Sequence, residues 1–433
     1  MHRFRKHLSM PGLLATLMKQ FKGVAEDTKP NSGISLADCL MSGLALFSLK
    51  YPSLLKFDND RRDDVIKHNL RSLFRIQQAP CDTYLRERLD SIAPKQLRKT
   101  FTTLFAQVQR SKQLDSFQFM DKHYLLSVDG TGFFSSHHVH CDQCCVKNHR
   151  DGSKTYYHQL LGAAIVHPDQ SQVLPFTPEP ILKQDGKKKN DCEREAAKRL
   201  LTDLRREHPH LKLIIIEDGL ASNGPHIKLL KSLNMHFILG AKPKDHTFLY
   251  DWVEHSSVQW HEETDAKGHR HKFKFINNIP LNDSHFDCEV NFLEYWETTP
   301  KGKVIHFTWV TDLELTSSTV HTIMRGARAR WKIENETFNT LKNQGYHFEH
   351  NFGHGKENLP TVMAYLMLLA FFVDQIQGIS CQLFKDAVVK AKSRSRFWEK
   401  LRAKFTDFLI ESWEDMYLSY LYPPKIPLIP DTS

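Results

Sequence analysis

Three acidic residues in this 433-residue chain have the surroundings of catalytic carboxylates. Asp129 and Asp218 each end a short apolar run and precede a glycine, in YLLSVDG and LKLIIIEDG. Glu334 comes later, in RARWKIENETFNTLK, four residues after Arg330. Carboxylates that share a cleft repel one another, and divalent cations relieve that repulsion. Oxygen-only ligands favour Mg²⁺ or Mn²⁺ over zinc, so the set predicts a two-ion site for metal-dependent phosphoryl transfer.

Each of these acids also has a purely structural interpretation. An aspartate at the end of a strand usually serves as a turn or helix cap, so no single position is decisive. Neighbouring acids fit the pattern less well. Glu217 is expected on the opposite face of its strand from Asp218, and Glu336 on a different helix face from Glu334. The ordered triple of Asp129, Asp218 and Glu334 therefore carries the prediction.

The elements around the first two acids predict an α/β fold. The predicted order is strands at 124–130, 156–168 and 172–179, a helix at 191–208, a strand at 211–218, a helix at 225–234 and a strand at 236–243. In an RNase H-like core of this order, the first and fourth strands are parallel neighbours. Ligands usually bind at the carboxyl ends of such strands, so the two aspartates are expected to lie close together there.

The remaining segments predict additional regions around this core. Residues 1–120 read as a helical N-terminal domain, either DNA-binding or a plain scaffold. Residues 121–375 form the catalytic domain, with a β-rich insertion at 244–303. Residues 376–433 read as a helical C-terminal region that ends in a proline-rich tail. Its basic segment at 390–404 could bind DNA or form the solvated face of a dimerisation helix.

The overall charge favours a polyanionic partner. The net charge is +9 and the sequence pI is about 9.0. Nucleic acid is the simplest such partner, although a merely basic soluble protein has the same charge. The longest apolar run, Leu359–Phe372, is shorter than the roughly 20 residues of a membrane span and predicts a buried core helix. A cytoplasmic chain without a secretory signal or membrane partner is expected.

Three motifs together resemble a known family. They are DGT after the first strand, EDGLASNG after the fourth, and RWKIENETFNTLKNQGYHFEHNFGHG. They resemble the insertion-sequence DDE transposases with a Tyr-Arg-Glu-Lys helix, over about residues 120–375. The resemblance implies an RNase H-like core with a β-rich insertion between the second aspartate and the glutamate. It also implies two divalent metal ions and a dimer that cuts and joins the double-stranded ends of an element.

The resemblance assigns roles to five residues. Asp129, Asp218 and Glu334 are similar to the catalytic and metal-binding triad of that family. Arg330 and Trp331 are similar to residues that recognise DNA ends beside the cleft.

Two positions depart from the family pattern. Ala327 stands where the family has its tyrosine, and Leu341 stands where it has its lysine. Lys342 follows one residue later. Its long side chain could still reach a DNA phosphate from there, so it remains a candidate DNA contact.

A second, unrelated cluster predicts zinc. The segment HHVHCDQCCVKNH offers Cys141, Cys144 and Cys145 together with His149 or His140. Thiolate and imidazole groups at this spacing are typical zinc ligands. The chain has no second CxxC pair, and a reduced, thiol-rich surface loop is the alternative.

The segment GYHFEHNFGHG contains three histidines, His347, His350 and His354. They could form a metal cluster or contact DNA phosphate. The glycines of the segment favour a plain loop that ends a helix.

Together these patterns predict a DNA transposase that binds inverted-repeat ends and catalyses metal-dependent cleavage and strand transfer. Its expected partners are double-stranded DNA and a second copy of the chain, in a nucleoid-associated cytoplasmic setting. An RNase H-like nuclease without strand transfer, or a non-catalytic DNA-binding regulator, are the alternatives that the sequence leaves open.

Overall fold

The structure, a computed structural model, describes residues 7–25, 33–183 and 192–423. The first residue of the predicted helix at 191–208 and most of the proline-rich tail lie outside these ranges. The chain divides into two units. The helical unit consists of Met1–Gln113, Gly132–His158 and Asn339–Ser433, and the sheet unit consists of Leu114–Thr131 and Gln159–Phe338.

The elements follow one another along the described ranges in an order that begins and ends with helices. The N-terminal helices are α1 Met10–Phe21, α2 Leu36–Ser48, α3 Leu54–Asp60, α4 Asp64–Phe74, α5 Asp82–Asp90 and α6 Arg98–Arg110. Next come β1 Tyr124–Ser136, β2 Cys145–Asn148, β3 Lys154–Val166, β4 Leu174–Pro175, β5 Glu179–Ile181, α7 Glu193–Glu207, β6 Leu213–Glu217, α8 Gly224–Ser232 and β7 His236–Gly240. The later elements are α9 Thr247–Glu254, β8 Gln259–Thr264, β9 Arg270–Pro280, β10 Glu289–Thr298, β11 Val304–Thr311, α10 Val320–Arg328, α11 Asn339–Asn343, α12 Leu359–Ser380, α13 Gln382–Ala391, α14 Arg394–Asp407 and α15 Trp413–Leu421.

The sheet unit is built on a mixed sheet of strand order β3-β1-β6-β7-β11-β10-β9-β8, with β4 and β5 paired to β3. Strands β1, β6 and β7 are parallel, and β11 turns back antiparallel to β7. Strands β1 and β6 are the first and fourth of the predicted strands, and they are parallel neighbours. The α/β class and the RNase H-like arrangement of the core are therefore confirmed.

Strand β6 owes its central place to its composition. All five residues of LIIIE are buried, as expected for a parallel strand covered on both faces. Branched side chains at consecutive positions fit such a strand better than an alternating pattern does. This strand carries the chain directly to Asp218.

Strand β1 is longer than the sequence pattern suggests. The predicted strand ends at about Gly130, but β1 continues to Ser136. Burial alternates along this extension, with Thr131 and Phe133 buried and Gly132 and Phe134 half-buried, as expected for a strand. The parallel pairing with β6 nevertheless stops at Ser127, which pairs with Ile216. Asp129 therefore lies just past the end of the parallel ladder.

The stretch at 244–303 contains strands β8, β9 and β10, and it also contains helix α9, which the sequence pattern did not predict. The three strands pair antiparallel in chain order, and β10 then pairs with β11. The insertion therefore widens the sheet that carries the acids.

The helical unit has α12 at its centre. Every residue from Leu359 to Gln377 is buried, and α12 packs against α2, α5 and α13. The helix is long and apolar enough to cross a membrane by length and composition, but its most apolar stretch is entirely buried inside the protein. The helix is longer than the predicted run, and its role as a core helix follows from this burial.

The start of α12 is fixed by an acidic cap from another helix. The side chain of Asp90, the last residue of α5, accepts hydrogen bonds from the backbone N–H groups of Lys356, Glu357, Asn358 and Leu359 at 2.7–3.0 Å. These bonds lower the pKa of Asp90 against the effect of its partial burial. They satisfy donors that would otherwise be unpaired at a helix N-terminus and hold the preceding loop in place.

Candidate active site

The pairing register of β1 and β6 brings two of the predicted acids together. Tyr124 pairs with Leu213 and Ser127 pairs with Ile216, with one constant offset. When the same offset is continued for two residues past the last pair of the ladder, Asp129 lies opposite Asp218. Neighbouring strands are about 4.8 Å apart, so the two carboxylates share one edge of the sheet.

Both aspartates also accept a hydrogen bond from a backbone N–H group that is close to them in sequence. Asp129 Oδ1 accepts a hydrogen bond from the backbone N–H of Gly130 at 2.9 Å. Asp218 Oδ1 accepts one from the backbone N–H of Leu220, also at 2.9 Å. Each of these two backbone hydrogen bonds involves only the Oδ1 atom of the carboxylate.

The segment that carries Glu334 is not the single α-helix that the sequence predicts for Arg328–Lys342. Helix α10 ends at Arg328, a π-helical turn runs from Ile333 to Phe338, and α11 begins only at Asn339. The wider turn buries Ile333, Thr337 and Phe338 together. It leaves Glu334 exposed. Single π-turns inside helices are frequent at functional sites.

A close approach between backbone and ring fixes the π-turn against the sheet unit. A Cβ atom at Gly162 in β3 would lie 2.9 Å from Cζ of Phe338. Only glycine permits this approach without displacing the ring. The π-turn therefore packs directly on a strand next to β1.

Two contacts of Arg330 tie the same segment to β1. The Ser127 hydroxyl donates to the Arg330 carbonyl oxygen at 2.9 Å, and Arg330 Nη1 donates to Asp129 Oδ2 at 3.2 Å. The guanidinium also lies 4.6 Å from the ring centroid of Trp331, which is 46% exposed. The predicted Arg330 and Trp331 thus lie beside the acids, with a broad aromatic surface in solvent.

The pKa of Asp129 shows the influence of the other two acids. Burial raises the pKa of this carboxyl, and the negative charges of Asp218 and Glu334 raise it further. The Arg330 guanidinium and the Gly130 N–H act in the opposite direction without cancelling the rise. Asp218 and Glu334 therefore both lie close enough to Asp129 to repel its charge.

A fourth carboxylate, Glu193, joins the cluster and was not predicted. It is the first residue of α7. A Cβ atom at Gly130 would lie 2.5 Å from Glu193 Oε1, so the close approach of Glu193 to β1 requires glycine there. Burial raises the pKa of Glu193, and the charges of Asp129 and Asp218 add to the rise. An acid in a first helical turn is common in any helix, so nothing in the local sequence distinguishes it.

An open cavity of about 450 Å³ lies over these acids. Asp129, Glu193 and Asp218 line it, together with Arg194, Asn223 and His226. His226 also forms a buried pair with Glu217, Nε2 to Oε2, at 2.6 Å. Burial alone would lower the pKa of His226, but the Glu217 charge raises it. Glu217 is therefore already occupied by a partner.

The chain's departures from the family pattern are also visible in the structure. Ala327 is buried on α10, and Leu341 is completely buried within the helical unit. Lys342 Nζ lies 2.8 Å from Glu349 Oε1 in a surface ion pair. The Lys342 amine thus already has an acidic neighbour, and Leu341 supplies only packing.

The structure groups the predicted zinc residues differently from the sequence motif. Cys141 and Cys144 lie together with His158 and His354, with all four potential ligand atoms within 4.8 Å of one another. Cys145 opens strand β2, where successive side chains point to opposite faces.

His149, also a predicted zinc ligand, is engaged elsewhere. Its Nε2 atom is 2.7 Å from the Thr155 hydroxyl. His158 and His354 therefore take the positions that the sequence motif gave to Cys145 and His149.

The two clusters differ in the metals they fit. Asp129, Asp218, Glu334 and Glu193 offer only oxygen, and the repulsion among carboxylates gathered in one place favours a divalent cation among them. Cys141 and its neighbours offer sulfur and nitrogen, which suit zinc. The residues present thus fit a hard cation in the sheet unit and a softer one in the helical unit.

Comparison with known proteins identifies a family and also finds distant structural likenesses. Residues 121–372 match the family described as "Transposase DDE domain". No curated protein sequence matches the chain. A cryo-EM structure of the piggyBac transposase synaptic complex with hairpin DNA is similar at 11% identity and a TM-score of 0.40, over 99% of this chain and 86% of that one. That likeness is too weak to support a conclusion about this chain.

Proposed function

We propose that this chain, which belongs to the family of DDE transposases, binds the inverted-repeat ends of a mobile element and catalyses strand cleavage and strand transfer. The observation that carries the proposal is the convergence of Asp129, Asp218 and Glu334, from two strands and a π-turn, on one edge of the sheet. A protein that only binds DNA gains nothing from gathering carboxylates beside phosphates, because the like charges repel.

Asp129, Asp218 and Glu334 are proposed to hold two Mg²⁺ or Mn²⁺ ions, with Glu193 as an additional oxygen donor. When bound, such ions activate the attacking oxygen and stabilise the leaving oxygen of an in-line phosphoryl transfer. Hard oxygen ligands and a partly open site support this choice of metal. The cavity over Asp129, Glu193 and Asp218 leaves room for a nucleic-acid strand.

The protein's own side chains are proposed to prepare this site before DNA arrives. The bond from Arg330 to Asp129 Oδ2 sets the orientation of the carboxylate and offsets part of its charge. The bond from Ser127 to the Arg330 carbonyl fixes the segment that carries Glu334. Catalysis by such a site depends mainly on positioning and charge, because phosphoryl transfer requires little covalent chemistry from the protein.

Trp331 is proposed to contact the DNA ends together with Arg330. The exposed indole beside a guanidinium can stack on an unpaired base, and the arginine can bind a phosphate. Lys342 is the third candidate contact, and DNA would have to compete with Glu349 for its amine. The net charge of +9 supports binding to double-stranded DNA at both element ends and target.

The functional assembly is proposed to be a homodimer that acts on DNA in the cytoplasm at the nucleoid. Residues 1–120 are the candidate DNA-binding region and residues 376–433 the candidate dimerisation region. Light scattering of the full chain with and without a DNA end would test the assembly. A complex that remains monomeric on DNA would contradict the dimer.

Single substitutions test the role of each acid. Asp129→Asn, Asp218→Asn and Glu334→Gln should each abolish strand cleavage on DNA carrying the element's ends, while DNA binding measured by gel shift remains. Glu336→Gln is the matched control, since it removes a carboxylate two residues from Glu334. Cleavage at the wild-type rate by any of the three variants would eliminate that residue from the triad.

A second assay separates a transposase from a nuclease. A DNA end with a pre-cut 3′-hydroxyl should be joined to target DNA by the wild-type chain. Cleavage without joining would identify a nuclease of the same fold. Binding without either reaction, unchanged in all three acid variants, would identify a regulator.

A further inference from the structure

A buried cluster of two thiols and two imidazoles joins distant parts of the chain within the helical unit. Cys141 and Cys144 lie just before β2, His158 lies in β3, and His354 lies in the loop before α12. We propose that these four residues bind one structural zinc ion.

Four of the six distances between the ligand atoms match the edges of a single coordination tetrahedron, and all six are within 4.8 Å. With Zn–S of about 2.3 Å and Zn–N of about 2.0–2.1 Å, ligand atoms in a tetrahedron are about 3.8 Å apart for two sulfurs and about 3.5 Å apart for sulfur and nitrogen. The Cys141 and Cys144 sulfurs are 3.8 Å apart. The sulfur–nitrogen distances are 3.4 Å from Cys141 to His158, 3.3 Å from Cys144 to His158 and 3.3 Å from Cys144 to His354.

A tight turn presents the two thiols to one point. The Cys144 N–H donates to the Cys141 carbonyl oxygen at 3.2 Å, and the Cys141 N–H donates to Cys144 Sγ at 3.4 Å. The CxxC spacing of such a turn is common at zinc sites. A backbone N–H directed at the sulfur also supports the thiolate form that a metal requires.

The loop that supplies His354 is held in place independently of any metal. The Asp90 carboxylate binds the backbone from Lys356 to Leu359, as described above. The Gly353 N–H donates to the side-chain oxygen of Asn351 at 3.0 Å. The imidazole therefore reaches the cluster from a fixed backbone, which reduces the entropy lost when a ligand set closes.

Both histidines direct Nε2 toward the sulfurs. The Nδ1 atoms of His158 and His354 are buried and have no hydrogen-bond partner within the described ranges. The rings of Phe133 and Phe134 surround the cluster, with Phe134 4.4 Å from the His354 ring centroid. Burying four polar groups in apolar surroundings costs free energy when their only contacts are weak hydrogen bonds to thiols. Coordination to a metal ion would offset that cost.

The geometry disfavours the other chemistries open to paired cysteines. A disulfide needs sulfurs about 2.05 Å apart, well below the observed separation. An iron–sulfur cluster of two irons spreads its ligands over two metals, whereas these four ligand atoms all lie within 4.8 Å of one another. Four protein ligands also leave no open position, as in structural rather than catalytic zinc sites.

The direct test is the metal content of the full chain, purified without added metal. We expect about one zinc per chain by elemental mass spectrometry, and its release on titration of the thiols with a mercurial. A folded chain that contains no zinc and takes none up would overturn the proposal.

Substitutions identify the ligands. Cys144→Ser and His354→Ala should lose the zinc, whereas Cys145→Ser and His149→Ala should retain it. These controls lie in the same segment and remove the same chemical groups from positions outside the cluster. Equal zinc loss in a control and a ligand variant would contradict the assignment.

Two further measurements apply if the ligand variants do not fold. His354→Cys keeps a zinc-binding group in place and should retain about one zinc per chain. The wild-type chain grown with cobalt should show the absorption bands of a tetrahedral thiolate-bound ion. Cobalt bound without thiolate bands would place the metal at the carboxylates instead and refute the site. None of these readouts depends on cleavage activity. Their outcome is therefore independent of the proposed transposase function.

Discussion

The carboxylate cluster of the sheet unit and the thiol–imidazole cluster of the helical unit differ in the hardness of their ligand atoms and in their exposure to solvent. Asp129 keeps 28% of its side chain exposed and lines a cavity of about 450 Å³, and Glu334 is exposed. Cys144 and His158 are almost fully buried, at 2% and 0% exposure. A site that exchanges substrate must stay open, whereas a site that only holds the fold can close. This contrast agrees with the two proposals, in which the first cluster holds exchangeable cations and the second a permanent ion.

The largest expected effect is the loss of the zinc. Structural zinc contributes folding free energy directly, about 10 kcal/mol or more in small zinc-binding peptides. Stripping the ion with a mercurial and a chelator should therefore lower the melting temperature by roughly 10 °C or more, measured by differential scanning fluorimetry. Removing Mg²⁺ alone, by dialysis into Mg²⁺-free buffer without a chelator, should shift the melting temperature by only a few degrees. Equal shifts would remove the contrast between the two clusters.

The next effect separates the clusters by activity. Asp218→Asn should reduce strand cleavage by about 10³-fold or more, because removing one member of a catalytic set costs most of its rate. Its zinc content should remain at the wild-type level. Cleavage rates and elemental analysis on the same preparation check both outcomes. Zinc loss from this variant would show that the clusters are not independent.

A smaller effect is expected at Glu193. If this carboxylate helps to hold the cations, Glu193→Gln should raise the Mg²⁺ concentration needed for half-maximal cleavage by about 10-fold to 100-fold, the range seen for residues that support metal ligands. Direct Mn²⁺ binding, followed by electron paramagnetic resonance, should weaken in parallel. Glu195→Gln, in the same helical turn, is the control. Unchanged Mn²⁺ affinity would limit Glu193 to a structural role.

The smallest effect concerns the metal-free stability of the sheet unit. Burial and the charges of Asp218 and Glu334 raise the pKa of Asp129 in the folded state above its unfolded value. Such a group stabilises the fold below its unfolded pKa, and this contribution is lost as pH rises through the folded pKa. Asp129→Asn should therefore raise the metal-free melting temperature at pH 7 by about 1–4 °C, with less gain near pH 4. Thermal scans at both pH values in Mg²⁺-free buffer without a chelator test this sign, and a gain that is larger at pH 4 would contradict it.

The sequence predicted the core of the sheet unit because its signals are local. A run such as LIIIE is apolar enough to become a buried central strand, whatever its neighbours are. Its pairing register with β1 then sets Asp218 beside Asp129. The predicted helix from Arg328 to Lys342 is not continuous, because a turn at 329–330 separates α10 from the helical segment that carries Glu334. That segment contains a π-turn whose Phe338 ring packs against Gly162, a contact between residues far apart in sequence. The catalytic roles of the three acids remain predictions.

The sequence by itself determined the fold class, the basic character of the chain and the presence of two groups of side chains of the types that bind metals. Only the tertiary structure decided the membership of each group. Glu193 belongs with Asp129 because a glycine lets α7 approach β1, and His354 belongs with Cys144 across 210 positions of sequence. The physical reason is that the burial pattern of a strand or helix depends on residues that are close in sequence. A ligand set, in contrast, is completed by segments that come together only after folding.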